Sequence, residues 1–189
     1  EIMPSLVGSE MCIRDRKTGI EVETSIGKLS LTIGGFIDRL DAVAANGNAN
    51  GKNLAERIRV IDYKTGRIST THPRALDEVF NPSMLNKHTD YYLQSMLYSI
   101  IVKHNKDLNP GQDPVSPGLL FIQNAGAEDY DPTLKMGKEL ISSIDVYEEE
   151  FMKQLKVLIA NIFDKDQPFR PTDDKHRCEY CPYAALCKS

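Results

Sequence analysis

The sequence predicts a mixed α/β domain, and three observations carry that expectation. Short alternating apolar segments come first, a helix-spaced apolar stripe follows, and a buried run and a long amphipathic stretch come last. At 189 residues the chain is long enough for one domain with a hydrophobic core and short for two. In the first part Ile20, Val22 and Thr24 alternate with polar residues, and Leu29, Leu31 and Ile33 do the same beyond Gly27. That pattern predicts a hairpin of half-buried strands. Phe36 to Asp41 (FIDRLD) is a further extended segment, residues 46–53 (NGNANGKN) form a polar loop, and Ile58, Val60 and Ile61 lead a strand that ends at Gly66.

Residues 74–104 are expected to be helical, in two pieces broken near Asn81-Pro82, with Tyr91, Met96 or Leu97, Tyr98 and Ile101 on the apolar stripe of the second. Asn109 to Pro117 reads as a loop and Gly118 to Ile122 as a buried strand. Ile144 to Phe163 is the longest helix, with Phe151, Leu155, Leu158, Ile159 and Ile162 on one face. Its Glu148-Glu149-Glu150 run is expected to be a solvated face.

Charged residues make up 26% and the formal net charge is −4, so the bulk balance does not announce nucleic-acid binding. A local basic strip is still allowed, and an acidic metal site would itself lower the total. No run approaches the ~18 apolar residues of a membrane span, and no leader features open the chain. A cytoplasmic setting without membrane contact is the expectation, and in that reducing compartment the four cysteines need a reason other than disulfides.

The N-terminus is treated separately. Leu6 to Asp15 (LVGSEMCIRD) resembles the translation of a sequencing adapter, so residues 1–16 are set aside as non-native. Cys12 falls within them. The domain is then expected to run from 17 to 189, truncated at its N-terminus, with 172–189 a cysteine-rich metal-binding tail.

The candidate chemistry lies on the strands. Asp62 and Lys64 are two apart, so a strand projects both to one face. Asp38 comes alongside if the strands pair through the polar loop. Two carboxylates at one point suit Mg²⁺ or Mn²⁺, and the Tyr63 carbonyl between them offers a further oxygen. A lysine beside such an ion can orient or deprotonate an attacking water, or stabilise charge on phosphate. A lone Asp-x-Lys would more often be a surface ion pair.

Three segments in order alter that balance: Gly35 to Asp41 (GFIDRLD), Val60 to Gly66 (VIDYKTG), and Gln94 to Tyr98 (QSMLY) on the following helix. Together they resemble the core motifs of PD-(D/E)XK nucleases of the RecB/AddB type, over about Gly34 to Cys187. The resemblance implies a restriction-endonuclease-like core, a mixed central sheet flanked by helices. It implies that Asp38 and Asp62 bind the metal, that Lys64 is catalytic, and that Gln94 and Tyr98 line the site and touch DNA or the lysine. Without the family, Tyr98 would be a core aromatic and Gln94 an exposed helical residue. Removing Lys64 is expected to abolish cleavage with little loss of stability.

Cys178-x2-Cys181-x5-Cys187, with Pro182 after the second cysteine, places three thiols in ten residues, a spacing that argues for zinc or iron–sulfur. In AddB-like nucleases a similar tail supplies three ligands of a 4Fe–4S cluster and a distant upstream cysteine the fourth. That ligand is missing here, and His176 stands only as a possible substitute for zinc. The upstream helix with an acidic residue or histidine that completes the metal site in the family is not placed either. His72, His88 and His104 are read as surface or helix-end residues.

The expected function is thus Mg²⁺-dependent hydrolysis of DNA, by an exonuclease acting in recombination or repair. It is expected to be the C-terminal domain of a larger protein with a helicase partner or a helicase-like upstream domain. A non-catalytic iron–sulfur DNA clamp on the same fold is the alternative, and a Holliday-junction or restriction-type endonuclease a third. Two convergent carboxylates favour the enzyme.

Overall fold

A long hairpin opens the described chain. Strand β1 (Ile13–Thr24) pairs antiparallel with β2 (Gly27–Ile37), with Thr24 opposite Gly27 and Ile20 opposite Leu31. Gly27 sits at φ +116, which explains a glycine at the turn. The computed structural model describes residues 13–43, 57–66, 72–127, 130–170, 172, 176–179 and 181–187. The polar loop at 46–53 and Cys12 lie outside these residues. Strand β1 begins at Ile13 and so runs into the segment set aside at 1–16.

The second sheet holds β3 (Arg39–Val43), β4 (Arg57–Lys64) and β5 (Val115–Phe121) in the order β3-β4-β5. Strands β3 and β4 are antiparallel, with Arg39 opposite Ile61; β4 and β5 are parallel, with Asp62 opposite Leu119. A parallel pair needs a long crossover. It is made by a short helix α1 (Leu76–Val79), a 3-10 turn at Pro82–Lys87, and helix α2 (Thr89–Lys103). The break expected near Asn81-Pro82 is there, with the Asn81 side chain accepting from the Ser83 N–H at 3.0 Å.

Helix α2 carries the core. Met96, Leu97, Tyr98, Ile100, Ile101 and Val102 are all buried, and it packs on β4, β5 and the hairpin. Buried Ser95 and Ser99 are small enough for close approach: Ser95 Oγ donates to the Gly118 carbonyl of β5 at 3.2 Å. Helix α3 (Asp145–Ile162) lies against β1 and α1, burying Phe151, Leu155 and Ile159. Phe151 meets Phe80 edge-on, ring centroids 5.2 Å apart.

Several expectations are corrected. The 109–117 loop is shorter than read, because Val115, Ser116 and Pro117 belong to β5. Pro117 is tolerated there for a directional reason. Its carbonyl accepts from Leu134 at 2.9 Å, and the Leu119 N–H donates to Pro132 at 2.8 Å, so odd positions face the outer edge of β5. The missing proline donor falls on that edge, away from the β4 ladder. On α3, Ile162 is 49% exposed and leaves the predicted apolar face. Glu148 is not simply solvated: it pairs with Lys103 at 2.6 Å and with His104, while Glu149 and Glu150 are exposed. The small pair β6 (Lys135–Met136) and β7 (Glu139–Leu140) was not anticipated. No helix of the described residues is long and apolar enough to cross a membrane.

Candidate active site

Strand β2 passes into β3 with only Asp38 between them. If the β3–β4 register continued by two residues, Tyr63 would face Ile37, but Ile37 is the end of β2 and pairs with β1. The Tyr63 N–H donates instead to Asp38 Oδ2, at 2.8 Å. The carboxylate thus replaces the ladder bond lost where the chain changes sheets. That bond holds Asp38 against the end of β4, beside Asp62.

Along β4 the alternation sends Asp62 and Lys64 to the α2 side and Arg59 and Tyr63 to the other. Asp62 is buried, its side chain 8% exposed, and Lys64 Nζ lies 2.5 Å from its Oδ2. Oδ2 is buried, with the Lys64 ammonium as its partner.

Helix α2 fixes the other side of the lysine. Lys64 Nζ donates to Gln94 Oε1 at 3.1 Å, and Gln94 Nε2 donates to the Tyr98 hydroxyl at 3.2 Å. The amide orientation is therefore set at both ends, carbonyl to the lysine and NH₂ to the tyrosine. Tyr91, one turn earlier, places its ring 4.3 Å from Nζ. Tyr91, Gln94 and Tyr98 follow i, i+3, i+7 spacing and share one face of the helix. Sequence reasoning counted Tyr91 as part of an apolar stripe; its spacing from Gln94 was the available signal.

The charges at this point are in tension. Burial pushes the Asp62 carboxyl above the usual carboxylate range, Lys64 pulls it back, and the negative charge of Asp38 adds to the rise. Such a group favours a nearby cation. Two carboxylates, one buried with an ammonium as the partner of its Oδ2, fit a hard divalent ion such as Mg²⁺ or Mn²⁺. Among the described residues no three His, Cys, Asp or Glu side chains gather. The remaining ligands would have to be backbone oxygen, water or substrate.

On the opposite face Arg39 and Arg59 both engage Asp41, at 2.7 and 3.2 Å, and Arg59 also reaches Asp131 at 3.0 Å. This network ties β3 to β4 and to the segment after β5, and gives Arg39 and Asp41 a structural role. The Arg39 guanidinium also lies 5.7 Å over the Tyr63 ring.

The tail differs from its expectation. Cys178 lies on a short helix α4 (His176–Glu179), and Cys187 ends a second, α5 (Ala184–Cys187), with Cys181 between them. All three are free thiols, the first two half-buried and the third exposed, and they do not form a metal-holding group. As arranged, they do not fit an iron–sulfur cluster or a zinc ion. Of the histidines, His104 caps α2 and His88 sits at φ +59 between the 3-10 turn and α2, both at helix ends as expected. His72 departs from that reading, half-buried with Nδ1 2.9 Å from the Tyr92 hydroxyl.

The family model described as the PD-(D/E)XK nuclease superfamily matches residues 5–188, nearly the whole chain and the start of β1 with it. Searches of curated proteins and of solved structures give no significant match.

Proposed function

The chain belongs to the PD-(D/E)XK nuclease superfamily, and on that premise we propose that it hydrolyses DNA phosphodiesters at the Asp38–Asp62–Lys64 site with Mg²⁺ or Mn²⁺. The observation that carries this reading is the placement of Lys64. Its amine is held 2.5 Å from the buried Asp62 carboxylate and 3.1 Å from Gln94, where an ordinary surface ion pair would not be built. A bound divalent ion would supply Lewis-acid polarisation of the phosphoryl oxygen and a more acidic water.

The chain's own residues account for the rest. Asp62 and Asp38 bring negative charge to the end of β4, and the Tyr63 carbonyl leaves β4 on the same edge as its N–H, toward Asp38. Lys64 presents a fixed N–H donor that can orient the attacking water or meet charge building on a phosphate oxygen. Gln94 and Tyr91 restrict the amine to that position, which lowers the entropy of reaching the reactive geometry.

The RecB/AddB type, exonuclease action on DNA ends, a role in recombination or repair and association with a helicase are the finer parts of this proposal. They rest on the order GFIDRLD, VIDYKTG, QSMLY. A 4Fe–4S cluster on Cys178, Cys181 and Cys187 rests on spacing alone, and no step is assigned to it. The test is cleavage of end-labelled linear DNA with Mg²⁺. EDTA should stop it, and Asp62→Asn and Lys64→Ala should each lower kcat by about 10²–10⁴-fold. Cleavage that persists through all three treatments would remove this site from the reaction.

A further inference from the structure

Gly35 has ordinary backbone angles, so conformational freedom does not explain it. Space does. A Cβ built on Gly35 would overlap the Tyr98 hydroxyl and come within 2.9 Å of Cζ and 3.0 Å of Cε1 of the same ring. The ring edge of a buried tyrosine on α2 is therefore seated against the bare Cα of β2. The same hydroxyl accepts from Gln94, whose carbonyl accepts from Lys64. The path Gly35–Tyr98–Gln94–Lys64 runs without a gap from the hairpin to the Asp62 carboxylate.

The geometry points to Gly35 as a positioning residue for Lys64, acting through the Tyr98 hydroxyl and the Gln94 amide. The physical reason lies in the amide. Gln94 has a donor end and an acceptor end, and only one orientation turns its oxygen to an ammonium. The tyrosine oxygen at the donor end selects that orientation. A side chain at position 35 would push the hydroxyl away, free the amide to rotate, and release the amine from its place. This inference rests on the nuclease reading for its kinetic consequence but not for its structural one.

The experiment therefore has two arms, on Gly35→Ala, Tyr98→Leu and the double variant. In the first, ¹³Cε-lysine labelling follows the Lys64 signal, with Lys64→Arg to assign it. Gly35→Ala should move that signal in a protein that keeps its melting temperature to within a few degrees. In the second arm, kcat on linear DNA should fall by about 10²-fold with KM little changed, the scale of a misplaced catalytic group. In the Tyr98→Leu background, where the hydroxyl, Cζ and Cε1 are all gone, adding Gly35→Ala should cost far less than it does in the wild type. A Gly35→Ala protein that folds and leaves the Lys64 signal and kcat unchanged overturns the inference, as does a loss equally large in both backgrounds. Should Gly35→Ala fail to fold, folding of the double variant supports the clearance argument and its failure refutes it. Should the wild type show no cleavage, the nuclease reading fails and the spectroscopic arm decides the positioning role alone.

Discussion

Removing the Lys64 amine should destabilise the metal-free protein, by an amount that depends on pH. Asp62 is buried with its charge facing Lys64 at 2.5 Å. Burial already holds its folded pKa above the unfolded value, with the lysine as the opposing influence. Lys64→Ala takes that influence away, so the carboxyl rises further. A raised carboxyl stabilises the fold below the unfolded pKa and loses that contribution as pH rises through the folded one, so the variant suffers most at neutral pH. An unsatisfied buried charged group costs about 1–3 kcal/mol or more. Protonation limits the damage: neutralising Asp62 at pH 7 costs about 1.4 kcal/mol per unit above 3.8, a ceiling of about 4 kcal/mol. A loss of about 1–4 kcal/mol lowers Tm by about 3–12 °C in a domain of this size. Thermal unfolding in EDTA at pH 7 and pH 4.5 measures it, and the loss should shrink to about 1 kcal/mol or less at the lower pH. Adding Asp62→Asn to Lys64→Ala should recover much of the stability, because no lone charge is left buried. A Lys64→Ala protein as stable as the wild type at pH 7, or a loss that ignores pH, would refute the reasoning. The expectation from sequence that Lys64 is dispensable for stability changes because the pair is buried.

Other outcomes follow from the same geometry. Glu148→Gln should destabilise by about 1 kcal/mol at pH 7, a modest figure since its partners Lys103 and His104 are partly exposed. Burial works against the Glu148 carboxylate, but Lys103 and His104 hold its pKa below 4.5, so the stabilisation is present above that value and lost as pH falls through the folded pKa; urea unfolding at pH 7 and pH 3.5 reads the difference. Phe151→Ala, at a fully buried ring packed edge-on to Phe80, should cost about 3–5 kcal/mol in chemical denaturation, and a loss under 1 kcal/mol would show that α3 is not part of the core. The chain as it stands should purify with substoichiometric iron and zinc by elemental analysis, since its three tail thiols are not gathered; a full equivalent of either metal would contradict that arrangement.

The mixed α/β class was legible in the sequence, as was the grouping of side chains that one element alone determines; what was not legible depends on interactions of longer range. Asp62 and Lys64 share a face because a strand alternates, and Tyr91, Gln94 and Tyr98 share one because a helix turns in 3.6 residues; both facts are local and periodic. The start and end of β5 were harder to read, since Pro117 signals a loop unless its missing donor is known to face an outer edge. Glu148 looked like one of three solvated acids because its partners, His104 and Lys103, stand 44 and 45 residues away at the end of α2. The tail shows the converse limit. Its x2 and x5 spacing permits a shared metal centre, but spacing alone does not bring thiols to one point, and metal binding is often what supplies the folding free energy of such sites.

Gly35 joins both sides of this contrast. In sequence it opens the Gly35–Asp41 segment, and nothing local shows why a glycine stands there. In the fold it lies within β2, and its meaning comes from a tyrosine 63 residues further on, whose hydroxyl occupies the space a side chain would need. Lys64 is thereby held from two directions. Strand β4 sets its height beside Asp62, and the hairpin sets its lateral position through Tyr98 and Gln94. A long flexible side chain needs both restraints if its amine is to act at one atom, because fixing a rotamer-rich lysine costs up to about 2 kcal/mol of entropy that must be met before the substrate arrives.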